Sequence, residues 1–289
     1  MVARSFALTL VVSLVLSQTA QAALSLPWQH TQTDAVVTAE LRECLKRESP
    51  DCAQPWLQEL RRRFPASLTV QYVSGHVAFL RGNFELARRS LEAAVQAPPG
   101  FEVMVKSAKE ILSGVHASQA AVAGFTRQSI SGGHFVVWYR PGPDEVMIPW
   151  MERVLNAATS RLSVVLGSLP ANPIHIHIYP RSATLAKVSG LTEKQVRTSG
   201  TIALCKFNRL MLTSPQDLLW GYPWADTLVH ELVHLLVQRH GGAHVPVWLH
   251  EAMARTLESV WRKKSIDGLD AQEDWILSEA ARRGKLIAL

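Results

Sequence analysis

The chain has 289 residues, of which 47% are hydrophobic and 19% charged, with 9 tryptophans. Such a composition supplies a substantial core and excludes a disordered or low-complexity protein. Lys and Arg number 30 against 24 Asp and Glu, a net charge of +6, yet no Lys/Arg run gathers that charge into a phosphate-binding face, so nucleic acid is not an expected partner.

Residues 1–22 read as a secretory signal peptide. Arg4 gives the positive start, Phe6 to Leu16 is an apolar stretch of signal-peptide length, and Ala20-Gln21-Ala22 offers the small-x-small cleavage pattern. The apolar stretch falls short of the roughly 18 residues that span a bilayer, and no later segment reaches that length. The expected product is an exported protein of the periplasm or cell envelope, with no transmembrane segment after cleavage. Export also permits disulfides. Cys44 and Cys52, in ECLKRESPDC, lie between one helical pattern and the next and are expected to staple a helical hairpin, a constraint worth about 2 to 3 kcal/mol. Cys205, within the apolar run TIALC, reads as a buried small hydrophobe.

Residues 23–115 are predicted to be helical, because apolar residues recur at intervals of three and four without strand-like alternation. Within YVSGHVAFLRGNFELARRSLEAAVQAPPG, the residues Gly75, Phe79, Gly82, Asn83, Phe84, Ala87, Leu91, Ala94 and Pro99 resemble a tetratricopeptide repeat unit. The resemblance implies two helices touching at small residues, with a turn at Gly82-Asn83, and residues 34–64 offer a degenerate neighbouring pair. A partner-binding groove and a helical cap on the rest of the chain both fit; with so few repeats the cap is preferred. Residues 116–133 are small, polar and glycine-ended, and read as a linker.

From 134 to 289 the composition shifts to mixed elements, giving an α+β class. HFVVWY at 134–139 is predicted to be a strand, Pro149 to Leu166 an amphipathic helix, and IHIHIYP from Ile174 an alternating strand. His175 and His177 share one face of that strand opposite Ile174, Ile176 and Ile178, and are expected to be a solvated or hydrogen-bonded pair rather than chelators. TIALC and LMLTS form a predicted strand pair with a tight connection at Lys206 to Arg209. Helices are predicted at 223–240, about 246–261 and about 271–283.

The chemistry concentrates in HELVH, His230 to His234. On an α-helix, residues four apart are separated by about 6 Å along the axis and about 40° around it, so both imidazoles can reach one ion. Glu231 is then placed to take a proton from bound water. The surrounding TLVHELVHLLVQ is apolar nearly all round and is expected to be buried, where unpaired His and Glu would cost several kcal/mol. Zinc needs a third protein ligand. His240 copies a known spacing, but in an unbroken helix it lies about 15 Å along the axis from His230. Glu251, in VPVWLHEAMA after the Gly241-Gly242 stop, can fold back on a second helix and is the preferred ligand, with His250 the lesser option.

His230, Glu231, His234 and Glu251 resemble the HEXXH-plus-Glu arrangement of gluzincin metallopeptidases. GTIALCKFNR, GYPWADTLVHELVH and VPVWLHEA together are similar to the bacterial peptidase MA-like domain, over roughly 134–289. The resemblance implies a zincin-like fold, a bound Zn2+, hydrolysis of a peptide or protein substrate, and a substrate laid along a strand before the active helix. That would make Lys206, Asn208 and Arg209 substrate-side groups. Tyr222 either donates to the oxyanion or packs beside Pro223 and Trp224. Two departures stand out: Ala252 replaces the usual glycine, and Arg255 stands where relatives carry an Asp that supports a ligand His. Asp226 and Glu258 both remain open for that supporting role. The competing expectation is an inactive zincin-fold scaffold whose helical region binds protein partners, against which the intact Glu231 argues.

Overall fold

A computed structural model describes residues 38–262 together with 275, 278–279 and 281–283. The expected signal peptide, and most of the helix expected at 271–283, lie outside the described residues.

Five helices come first: α1 (Ala39–Lys46), α2 (Pro50–Arg63), α3 (Leu68–Leu80), α4 (Phe84–Val95) and α5 (Glu102–Ala121). Their starts follow from local chemistry. The side chains of Thr38, Ser49 and Asn83 accept hydrogen bonds from the amides of Leu41, Cys52 and Leu86, giving partners to N–H groups that a helix start leaves unpaired. A disulfide joins Cys44 to Cys52 across the turn between α1 and α2, with Cα atoms 5.4 Å apart. α3 and α4 touch at Gly75, where a Cβ would stand 2.6 Å from Leu91 Cγ. Any larger residue there would push the two helices apart.

The segment 116–133, expected to be a linker, carries regular structure instead. α5 continues to Ala121, and Thr126–Ile130 forms strand β1, antiparallel to β2 (Phe135–Tyr139). The composition misled because β1 is an edge strand exposed at its first four residues, so polar side chains occupy it without apolar alternation. The glycines belong to the β1–β2 connection, where Gly132 and Gly133 take φ of 64° and 96°.

The remaining elements are α6 (Ile148–Leu166), β3 (Ile174–Tyr179), α7 (Ser182–Ser189), α8 (Glu193–Ser199), β4 (Ala203–Lys206), β5 (Arg209–Thr213), α9 (Trp224–Gly241) and α10 (Val247–Leu257). The class is α+β. The five strands form one mixed sheet in the order β1-β2-β3-β5-β4, with β2, β3 and β5 parallel and the two edge strands antiparallel to their neighbours. Among the described residues, no helix is long and apolar enough to cross a membrane.

Both faces of the sheet are covered. Ile174, Ile176 and Ile178 face the main core, which they share with Met151 and Leu155 of α6 and with Leu228, Leu232 and Leu235 of α9. On the opposite face Trp138 packs with Phe79, Phe84 and Leu91 of the first helices, and Tyr179 and Met211 meet Leu185 and Val188 of α7. Burying each such side chain is worth about 1.5 to 3 kcal/mol, so the helical layer and the sheet share one stability.

His175 and His177 lie under that helical layer and are hydrogen-bonded, not solvated. Trp138 Nε1 donates to His175 Nδ1 at 2.9 Å, and His177 Nδ1 lies 2.9 Å from the Tyr179 hydroxyl. Burial, with the nearby Arg209 charge, pushes the His175 imidazole down to about 4 and that of His177 well below its ordinary value. Both are therefore neutral.

Candidate metal centre

α9 is held by its apolar residues. Leu228, Val229, Leu232, Val233, Leu235 and Leu236 are buried, which leaves His230 and His234 on the side that faces a cleft. α10 packs antiparallel to α9 after a short turn at Gly242–His244 and brings Glu251 to the two imidazoles. His230, His234 and Glu251 each offer a ligand atom, all within 4.8 Å of one another. The two Nε2 atoms are 3.1 Å apart, and the exposed Glu251 carboxylate straddles them, with Oε2 3.6 Å from His230 and Oε1 3.6 Å from His234. Ligands bound tetrahedrally at about 2.0 to 2.1 Å are separated by about 3.3 to 3.4 Å. The donor set fits a zinc-sized ion in its chemistry, and its spacing lies within a few tenths of an ångström of that separation at the closest atoms.

His230 Nδ1 lies 2.9 Å from Glu258 Oε2. Donation of the Nδ1 proton to that carboxylate leaves the Nε2 lone pair directed at the cluster. Of the two acids open for this role, Glu258 takes it; Asp226 instead accepts from Trp261 Nε1 at 2.7 Å and pairs with Arg262. Arg255, the departure noted in the sequence, pairs with Glu258 and holds it from the other side. Burial lowers the affinity of His230 for a proton, but the Glu258 hydrogen bond and the surrounding carboxylates outweigh it and raise its pKa. Burial and the neighbouring His230 push His234 down to about 4.

Glu231 is not one of the three residues of the cluster; it lines the same cleft and is 7% exposed. Burial raises its carboxyl to about 7, opposed by His230 and by a hydrogen bond from the Cys205 amide. That amide comes from β4, and the strand register explains why. β4 and β5 are joined by the two residues Phe207 and Asn208, with φ of 55° and 58°. A two-residue turn makes Lys206 and Arg209 a hydrogen-bonded pair, and Thr213 N donates to Ile202 O at 2.8 Å four positions along. Ala203 and Cys205 therefore turn their backbone groups to the open edge of the sheet. That edge forms one wall of a cleft of about 930 Å³, lined also by Thr227, Val247 and His250.

Three expected substrate-side groups lie elsewhere. Asn208 and Arg209 are 4% and 1% exposed and do not line the cleft. Arg209 Nη2 donates to Phe79 O at 2.7 Å, and its guanidinium lies 4.5 Å from the Phe79 ring centroid, so it ties the sheet to α3. Asn208 Nδ2 donates to Leu80 O at 3.0 Å. Lys206 turns to Ser189 O at 2.6 Å. The hairpin runs along the cleft, but its tip is inserted into the helical layer. Tyr222 donates its hydroxyl to Thr213 O at 2.5 Å, and burial raises its pKa, so it packs rather than facing the cleft. His240 approaches Ser168 O at 3.3 Å, away from the cluster, as an unbroken helix to Gly241 requires. His250 is close, its ring 5.8 Å from that of His234, but contributes no atom to the cluster.

Compared with family models, with curated proteins and with solved structures, the chain matches none.

Proposed function

We propose that the chain is an exported zinc metallopeptidase of the gluzincin type, with a zincin-like domain and a tetratricopeptide-like helical layer. The observation that carries this reading is a buried carboxylate, Glu231, beside a His-His-Glu cluster at the foot of a cleft with an open strand edge. His230, His234 and Glu251 would hold the ion. Zinc bound there supplies the electrophilic pull that makes a peptide carbonyl and a water reactive near neutral pH.

The other parts of the reaction belong to the protein. A peptide laid against β4 meets the backbone groups that Ala203 turns outward, an arrangement in which main-chain hydrogen bonds give affinity. Glu231 accepts the proton released as water adds to the scissile carbonyl, then returns it to the amine that leaves as the C–N bond breaks. The Cys205 amide holds that carboxylate in place. Glu258 keeps His230 in the tautomer that ligates.

The second reading, a scaffold that binds partners through its helices, is favoured by one feature. A groove of about 620 Å³ runs over α1, α3 and the start of α5, lined by Arg42, Leu45, Tyr72, Phe101 and Met104. A peptide-library cleavage assay on the zinc-loaded, full-length protein separates the two. Cleavage supports the peptidase; zinc binding with no cleavage across the library supports the scaffold.

A further inference from the structure

The turn between α1 and α2, closed by the Cys44–Cys52 disulfide, reaches three parts of the cleft machinery. Glu48 Oε2 accepts from the Asn208 amide at 3.2 Å, and the Phe207 amide also donates to that carboxylate. Asp51, in the first turn of α2 beside the disulfide, pairs through Oδ2 with Arg239 Nη1 at 2.7 Å on the helix that carries the two histidines. Arg239 in turn donates to Asn208 Oδ1. Arg47 lies over the turn that joins α9 to α10: a Cβ on Gly242 would stand 2.8 Å from its guanidinium carbon. Asn208 is thus gripped from three sides, by Glu48, Leu80 and Arg239.

Asn208 lies two residues beyond the end of β4. Fixing the tip fixes where Ala203 and Cys205 present their backbone groups, and so where the Cys205 amide meets Glu231. Glu48 itself has φ of 51°, a region that non-glycine residues enter at a cost and keep only where the surroundings enforce it. The disulfide across the turn and the two tip amides are those surroundings.

We propose that the stapled turn is a positioning device for the cleft: through Glu48 and Asp51 it sets the β4–β5 tip at Asn208, and thereby the edge strand against which a peptide lies. This rests on the peptidase reading for its consequence in catalysis, though not for its consequence in structure. Glu48 touches neither the cluster nor the cleft, and acts through the strand.

The test is hydrogen-exchange mass spectrometry on full-length protein, read beside KM and kcat for a cleaved peptide. The forms compared are wild type, Glu48→Ala, Glu48→Gln and the double variant Cys44→Ser/Cys52→Ser. In Glu48→Ala and in the double variant, amides of 203–213 should exchange at least about tenfold faster while those of β1 to β3 keep their protection. KM should rise several-fold, kcat should fall less, and zinc content should not change. Glu48→Gln, which keeps an acceptor oxygen, should recover most of both effects. Unchanged exchange over 203–213 overturns the proposal, as does faster exchange spread evenly over the sheet, or Glu48→Gln behaving like Glu48→Ala. If Glu48→Ala does not fold, the comparison of Glu48→Gln with the cysteine variant decides by the same exchange pattern. If no form, wild type included, cleaves any peptide, the peptidase reading fails while the exchange pattern still decides the positioning role.

Discussion

His230 Nδ1 and Glu258 Oε2 meet at 2.9 Å although 28 positions separate them, one residue in the middle of α9 and the other just past the end of α10. The contact makes the orientation of the His230 imidazole depend on the helix that supplies Glu251. Glu258→Ala should therefore lower zinc affinity by about 10- to 100-fold, the range typical for removing such an orienting partner. Competition against a chelator of known affinity measures it. Unaltered affinity would mean that His230 is oriented without the carboxylate.

The third ligand is tested by contrast. Glu251→Ala should leave two imidazoles and a sharp loss of zinc, whereas His240→Ala, which removes only a contact to Ser168 O, should leave zinc content intact. Metal analysis of the two purified variants gives the answer, and the reverse pattern would move the centre along the helix.

Glu231→Gln keeps size and shape and removes the proton acceptor. Zinc content should match wild type while peptide turnover falls by a factor on the order of 10² to 10⁴. Retained turnover would assign the proton transfer to another group.

Arg209 distinguishes a structural cation from a substrate contact. Arg209→Met leaves Phe79 O without its buried donor and removes the cation from the Phe79 and Phe84 rings. A loss of about 2 kcal/mol or more in urea unfolding is expected, with KM unchanged. A raised KM at undiminished stability would restore its expected place beside the substrate.

The part-buried His175 predicts a pH effect. Its folded pKa, about 4, lies below the ordinary value of 6.5, so between those limits the unfolded chain binds a proton that the folded chain refuses. Stability is therefore lost as pH falls from about 6.5 toward 4, by up to about 1.4 kcal/mol per unit for one such group. Buried carboxyls of raised pKa act in the opposite sense, so the comparison is with His175→Gln, whose amide can still accept from Trp138. Urea unfolding from pH 7 to 4.5 should show a shallower acid loss in that variant. Parallel curves would mean that the imidazole titrates alike in both states.

The elements most legible in the sequence were those whose signal is local. β3 could be read from IHIHIY because its isoleucines alternate, and α9 from the spacing of His230 and His234 within an apolar helix. β1 could not, because an edge strand exposed along most of its length needs no apolar residues. Asn208 and Arg209 were misplaced for a different reason. A hairpin's neighbours at its tip are set by tertiary packing, and the residues that bury this one, Glu48 and Phe79, lie 160 and 130 positions away. Glu258 was legible as one of two acids, but only the return of the chain past α10 decides between it and Asp226.

The helical layer over Trp138, His177, Tyr179 and Met211 bears on how such a chain can be divided and recombined. A cut at 133, where composition changes, would strip β1 from β2 and bare a face bearing an uncharged imidazole and two large aromatic rings. The first helices are thus not cargo that gene fusion could exchange for another module. The half that carries the His-His-Glu cluster, taken alone, would have to repack this face of the sheet or leave it open to water.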